Sequence, residues 1–471
     1  MIPALVFAFF MMTAIRYSSS PLLAQEAGSA TTPSPESFEL PSAELLETID
    51  IDSAAEEENG FLEALQLILY GVSEHRQLRE NHPLNPDDAL LDFSEREGSI
   101  AADLDWTPEL TDTLSLRSRV VGQVKAEDEA PSSHAYFLEG YLQWQNRTHT
   151  RVLDLGKVKT AWGSGYAWNP TQVLIFPEDE DWDDYDDETG VAMVRFEQVF
   201  GTMTLTALAA RLDVDDVTSD HPCQLAAKAS FKVEPWELSL VHHQATDKGW
   251  SGGLSFSGLL SDSIEIHGEW TRSELRDRFS AVKQSEGIQM GPAYLPERYD
   301  YSGRDRSQRF DRFLIGGQIT FAGKMNLVIE LYKTSHGYDD EEWQTIETGI
   351  DEANQDDAWE KSDPPYTGAA GNPYAGFLKN TMHQVDEGQL RQHYCFLRYT
   401  SGETANHWEW EQIALLNLDD SSHLHRGILH KSWQDWISTS LSITLYRGDK
   451  TSEYGLNPYT ETGALEAEIR F

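Results

Sequence analysis

The residues with most chemistry in this chain lie between Gly156 and Glu188. Lys157 and Lys159 end an apolar-rich run, and Trp162, Gly163, Gly165, Trp168 and Asn169-Pro170 follow closely. Nine carboxylates then fall within the eleven residues from Glu178 to Glu188, with Trp182 and Tyr185 among them. The two lysines could draw an anionic solute. Trp162 and Trp168 could stack on sugar rings or gate an opening, with the Asn169 amide beside them. Asp183, Asp184, Asp186 and Asp187 could attract cations, since calcium takes about six to eight oxygen ligands. Their spacing lacks the order and the glycine of an EF-hand loop, so a solvated loop drawing mobile cations is the plainer reading. Screening confines such a field to about 8 Å at physiological salt.

Each reading has a structural competitor. On a regular strand Lys157 and Lys159 share a face with Leu153 and Leu155, because side chains alternate with period two. Leucines toward lipid and lysines toward water require a bulge there, or an exit from the membrane. A lumenal lysine pair and an interfacial pair near lipid headgroups both stay open. The tryptophans equally suit an aromatic girdle at the lipid interface or loop packing, and that reading is favoured. Gly163 and Gly165 permit a sharp bend. They form no phosphate loop, because neither Lys-Ser nor Lys-Thr follows.

Other catalytic chemistry is absent from the pattern. There is no H-E-x-x-H, G-x-S-x-G or Walker sequence. His242 and His243 are adjacent on a strand and so point to opposite faces, and nothing singles out His267. Cys223 and Cys395 read as two free thiols. No enzyme, resident metal or cofactor is expected.

The elements that must position these residues follow from composition and period. The net charge is −43, from 79 acids against 36 bases, which makes nucleic acid an improbable partner. Hydrophobic content is 39% and mean hydropathy −0.49. No stretch after the N-terminus approaches the roughly 20 apolar residues of a membrane helix. A membrane β-strand needs only about 9–11 residues with one apolar face, so a barrel is compatible. Residues 1–24 read as a signal peptide, with an apolar core from Ile2 to Ile15 and a cleavage site after Leu22-Leu23-Ala24. Arg16 follows that core and no base precedes it, a departure from the usual pattern. No cysteine near Ala24 offers a lipoprotein anchor. Residues 25–88 read as a periplasmic tail with a short amphipathic helix over Phe61 to Val72.

From residue 89 to 471 the period is two. Ile264, Ile266, Gly268 and Trp270 alternate with Glu265, His267, Glu269 and Thr271. Leu327, Ile329 and Leu331 alternate with Val328, Glu330 and Tyr332. Short turns at Phe200-Gly201, Glu234-Pro235 and Ala322-Gly323-Lys324 alternate with long polar loops at about Ala161 to Gly190, Arg272 to Asp311 and His336 to Leu390. Sorting by parity is the habit of bacterial outer-membrane barrels, with turns in the periplasm and loops outside. About 17 strand-like runs lie beyond Ser99, and a further one near Ala89 to Glu95 would make the count even. The expected fold is all-β, a transmembrane antiparallel barrel of about 16–18 strands. Leu465, Ala467, Ile469 and Phe471 share the apolar face of the last strand.

Three stretches carry a resemblance. The run from Gly156 through Trp162, Gly163, Gly165 and Trp168 to Pro170 resembles one in proteobacterial outer-membrane porin-like barrels, the alginate-export type and related uncharacterised families. Leu416 to Ser421 is similar to their tight loop between late strands. Ser452-Glu453-Tyr454-Gly455 is similar to the segment before their last strand. Gln172 departs from the pattern, where an acid is expected, and so does the acidity of the following loop. The resemblance implies a porin-like channel in the outer membrane for small hydrophilic solutes or an exported polymer. A plugged barrel serving an envelope export or surface-assembly system is the alternative. The implied partners are outer-membrane lipid and lipopolysaccharide, the solute or polymer, and the barrel assembly machinery, which would read Phe471.

Overall fold

The computed structural model describes residues 64–126, 131–172, 189–211, 223–246, 249–276, 278–284, 288–290, 293–295, 298–302, 309–360, 372–386, 388–402, 404 and 406–471. The acidic run Glu178 to Glu188, with Asp183, Asp184, Asp186 and Asp187, lies outside them, as do the signal-peptide and most tail residues.

Eighteen strands build the wall. They are β1 (Leu65–Leu78), β2 (Arg96–Trp106), β3 (Leu114–Ala126), β4 (Ser132–Gln145), β5 (Arg151–Val158) and β6 (Val191–Phe200). Next come β7 (Met203–Arg211), β8 (Cys223–Val233), β9 (Trp236–Ala245), β10 (Gly249–Ser261), β11 (Ile264–Ser273) and β12 (Phe310–Thr320). The rest are β13 (Asn326–Thr334), β14 (His393–Thr400), β15 (Trp408–Asn417), β16 (His423–Gln434), β17 (Ile437–Arg447) and β18 (Tyr459–Arg470). Each pairs antiparallel with its neighbours in the chain, and β1 pairs with both β2 and β18, from Ile68↔Arg470 to Leu78↔Tyr459. The sheet therefore closes. Closure removes every free edge, which lipid demands because it cannot hydrogen-bond an exposed backbone.

The register sorts side chains as a membrane wall does. Leu155, Ile315, Ile443 and Leu465 point outward and are 52–56% exposed. Asp103, Asp154, His267, Glu269 and Glu330 point inward and are buried. Apolar outside and charged inside inverts a water-soluble domain, and it places the chain in the bacterial outer membrane. On the rim holding both ends of the barrel, residues 201–202, 234–235, 262–263 and 435–436 are two-residue turns. The opposite rim carries the connections 79–95, 159–190, 274–309, 335–392 and 448–458. The alternation expected from the sequence holds for these connections. Trp408, Trp410, Trp433 and Trp436 stand exposed toward the short-turn rim and give a girdle there.

Two sequence expectations are corrected. The helix over Phe61 to Val72 is absent among the described residues, where Leu65–Leu78 is a wall strand. Leu65, Leu67 and Leu69 alternate with Gln66, Ile68 and Tyr70, and hydrogen bonding to two neighbours outweighs local helix propensity. The barrel thus begins at residue 65, not 89. Nor do Ala89 to Glu95 form the eighteenth strand. Asn85 holds that stretch as a turn, its Oδ1 accepting from Leu90 and Leu91 N–H at 2.9 Å each.

The long connections form a roof with its own core. Helix α1 (Asp340–Asn354) is capped by Asp339, whose Oδ1 accepts from the Glu342 N–H at 2.9 Å. It buries Trp343, Ile346, Ile350 and Ala353, one stripe at helical spacing. Helix α2 (Pro373–Asp386) buries Phe377, Leu378, Met382 and Val385 against the same core. Gly349 permits the approach, since a Cβ there would meet the Phe377 ring at 2.7 Å. Leu84, from the β1–β2 connection, and Leu456, from β17–β18, join this core at 0% exposure. Asn354 Nδ2 donates to Pro83 O at 2.9 Å, and Thr451 Oγ1 donates to Glu347 Oε1 at 2.8 Å. The roof therefore ties β11–β14 to the β17–β2 side, across the mouth.

Candidate functional site

The connection leaving β5 turns inward. Gly156, at φ 142°, begins the departure, in a backbone conformation that favours glycine. Residues 159–172 then run along the inner wall, and two carboxylates hold them. Glu269 on β11 accepts from Gly165 N–H at 3.1 Å and from the N–H and hydroxyl of Thr171 at 2.8 and 2.7 Å. It also takes the Ser164 N–H and hydroxyl. Glu330 on β13 accepts from Tyr166 and Ala167 N–H at 2.6 and 2.9 Å. Burying a carboxylate is costly unless its oxygens are matched by donors, and here the loop backbone supplies them. Loop and wall acids satisfy each other.

Each tryptophan is a foot on an apolar patch of the inner wall. Trp162 is buried among Val158, Val191, Met193, Leu208 and Val241, from β5 to β9. Trp168 stacks on Tyr332 at 4.8 Å and an interplanar angle of 13°, beside Tyr394, Phe396 and Leu314. The six-residue spacing lets the segment straddle the wall, with Glu269 between the two patches and Glu330 on the strand that carries Tyr332. Asn169 Oδ1 accepts from Gly165 N–H at 3.0 Å. Gly163 has φ 120°, and a Cβ on it would strike that Asn169 side chain. A Cβ on Gly165 would strike Trp168 O and Leu314. The glycines are there for close approach.

Gln172 closes the segment on itself. Its Nε2 donates to Thr160 O at 3.0 Å while its Oε1 accepts the Trp162 N–H. An ionised acid would lack the donor. The side chain closes the neck of the loop.

The sequence-chosen residues part company here. Trp162, Trp168 and Asn169 come together inside the barrel, so the tryptophans are loop-packing residues and not part of the outer girdle. Lys157 does not join them. It stands on the outward face with Leu153 and Leu155, donates to Phe137 O at 2.6 Å and lies 6.0 Å from the exposed Phe137 ring. That is the interfacial placement, and it corrects the lumenal reading of Lys157. Lys159 enters the loop, its N–H bound by Glu139 Oε1 at 3.0 Å.

Sequence reasoning placed Glu269 and Glu330 on polar faces without giving them a role. Glycines beside inward acids were the available signal. Gly316 pairs with both His267 and Glu330, and a Cβ on it would meet His267 Nε2 at 2.5 Å. His267 Nε2 bonds Glu330 Oε1 at 2.8 Å, and its other ring nitrogen has no hydrogen-bond partner among the described residues. No described hydroxyl is therefore in reach of this imidazole as a nucleophile. Among the described residues no group of three metal-ligating side chains converges. Cys223 and Cys395 are both free thiols.

Across the lumen the wall is charged. Every contact given above for residues 159–172 falls on β4 to β15, leaving β16–β18 and β1–β3 opposite. There Arg119 binds Asp103 at 2.7 Å, Arg117 binds Asp105 at 2.9 Å, and Arg76 binds Glu97 at 2.6 Å.

No family model and no curated protein matches this chain. It is similar in fold to several solved outer-membrane structures. One is Wzi of Escherichia coli, described as a carbohydrate-binding β-barrel involved in group 1 capsule assembly, at 11% identity and TM-score 0.46, covering 92% of this chain and 90% of that one. Another is Acinetobacter baumannii OccAB1, at 10% identity and TM-score 0.48, covering 88% and 98%. A third is Pseudomonas aeruginosa OccK2 in complex with glucuronate, at 12% identity and TM-score 0.47, covering 88% and 99%.

Proposed function

We propose that this chain is a porin-like channel of the outer membrane, with loop 159–172 as its fixed constriction and small hydrophilic solutes as its cargo. The observation that carries the reading is the double clamp. Glu269 and Glu330 hold the four consecutive residues Ser164 to Ala167, and Thr171 beyond them, against one side of the lumen. A segment so bound narrows a pore without filling it by chance, and it leaves a charged, wettable wall facing it. Lipid and lipopolysaccharide surround the barrel in this reading. Phe471 ends the outward apolar face of β18, where assembly machinery would read it. Passage of an exported polymer rests only on the local likeness to alginate-export barrels.

The roof favours a second reading. Loops from opposite sides of the mouth share one apolar core, as a plugged barrel in a surface-assembly system would require. Planar-bilayer recording separates the two. Steady open-channel current from the purified protein supports the channel. A silent barrel that co-purifies with a periplasmic partner supports the plug.

A further inference from the structure

The inward bases on the arc facing the constriction are all neutralised in place. By register, β16–β18 and β1–β3 point six bases into the lumen: Arg76, Arg117, Arg119, Lys125, Arg426 and Arg470. Those strands also point in six acids: Glu74, Glu97, Asp103, Asp105, Glu466 and Glu468. Each of the six bases lies within 4.0 Å of a carboxylate.

The partners are not equally exposed. Arg119 keeps 20% of its side chain exposed while Asp103 behind it keeps 5%. At the edge of the loop, Arg195 keeps 23% and Asp154 keeps 1%. Arg117 keeps 36%, with Glu139 at 7%. In these three pairs the carboxylate lies behind the guanidinium, whereas Arg76 and Glu74, Arg426 and Glu466, and Lys125 and Glu97 are about equally exposed. Arg119 sets its Nε and Nη2 on Asp103, and Arg195 sets Nε and Nη2 on Asp154 and Nη1 on Thr160. A guanidinium is a rigid plane of donors, and the exposed part of these three side chains turns that plane toward the lumen.

We infer that the passage selects neutral polyhydroxylated solutes, sugars or polyols, over carboxylates of equal size. This rests on the channel reading above. Along this arc a solute meets hydrogen-bond donors whose positive charge is balanced by a carboxylate within 4.0 Å. Hydroxyl oxygens can accept from the lumen-facing N–H groups. A carboxylate solute gains little net attraction, because each guanidinium it approaches already holds an anion, and that anion repels it.

Osmotic swelling of proteoliposomes tests this, with glucose and gluconate as probes, together with the reversal potential in a KCl gradient. The expected result is glucose entry at least as fast as gluconate entry and no anion preference. Asp103→Asn and Asp154→Asn should each raise gluconate entry relative to glucose several-fold, by uncovering a guanidinium. Arg119→Gln should lower it, which a merely structural role for the pair would not do. Gluconate entering the unmodified protein several-fold faster than glucose, or a marked anion preference, overturns the inference while the channel stands. Unchanged ratios in all three variants overturn it too. Neither conductance nor swelling with either probe sinks the channel reading, and this inference with it.

Discussion

Glu269 and Thr171 meet twice. The carboxylate of a mid-wall strand takes both the N–H and the hydroxyl of the last turn of the inward loop, at 2.8 and 2.7 Å. Residues 98 positions apart in sequence are joined by two hydrogen bonds to one oxygen. The loop is thereby part of the wall.

Removing that oxygen should free the loop. In Glu269→Ala, the Ser164 N–H and both Thr171 donors are left without an acceptor, Gly165 N–H keeps only Asn169 and the Ser164 hydroxyl only Phe256 O, and each stranded buried donor costs about 1–3 kcal/mol. The expected outcome is a larger and noisier single-channel conductance than in the unmodified protein. Glu330→Ala should do the same, and the double variant should exceed either. Glu269→Gln keeps one carbonyl acceptor and should fall between. Identical conductance across the series would show that the loop does not border the path.

Trp168 supplies the second anchor. It is 5% exposed and stacked on Tyr332. Trp168→Ala should cost about 3–5 kcal/mol where the site cannot collapse. Gly165→Ala should reach a similar end by pushing against Trp168 O and Leu314. Both should lower the temperature at which the folded barrel loses its fast migration on gels. Trp410→Ala, in the girdle at the short-turn rim, should shift it less.

The roof carries a pH dependence. Glu453, in the β17–β18 connection, accepts from Tyr394 OH at 2.7 Å, Asn417 Nδ2 at 2.7 Å and Leu390 N–H at 3.2 Å. Burial pushes its carboxyl up to about 7, and the nearby Asp420 charge adds to this, against the opposing hydrogen bonds from Tyr394 and Leu390. A raised folded value means the protonated form is favoured by folding. Its stabilising contribution is complete below about 4.5, the ordinary value, and is lost as pH rises through about 7. Proteolysis of the roof in detergent-solubilised protein should therefore be faster at about pH 8.5 than at about pH 5.5. Glu453→Gln should flatten that profile. An equally steep profile in the variant would assign the effect elsewhere.

Much of this was legible in the sequence, for one physical reason. A lipid-facing wall forces period two and loop parity, and both survive in Ile264 to Thr271 and in the turns at Gly201 and Pro235. The inward loop was legible as a concentration of tryptophan and glycine, but not its direction. Aromatic rings suit a lipid interface and a packed lumen alike, and only the tertiary position of Glu269 and Glu330 decides. Lys157 was ambiguous for the matching reason, since a long cationic side chain can snorkel from an apolar face. Strand β1 was misread because Leu65–Leu78 has apolar residues on both faces near its start, where period alone does not separate strand from helix.

That strand permits a direct test of closure. If Leu65–Leu78 is wall, Leu69 faces lipid and Val72 faces the lumen, as their pairing with Ala102 and Ser99 and with Ile469 and Glu466 requires. An arginine on the lipid face near mid-membrane costs about 2–4 kcal/mol, whereas lumenal substitutions are cheap. Leu69→Arg should therefore destabilise the barrel by about that amount in urea titrations of protein folded into vesicles, and Val72→Arg should do so far less. A periplasmic helix outside the barrel would show no such asymmetry, because neither position would touch lipid. Equal, small effects at both sites would reopen the seam between β2 and β18, where an unpaired edge could not persist in hydrocarbon.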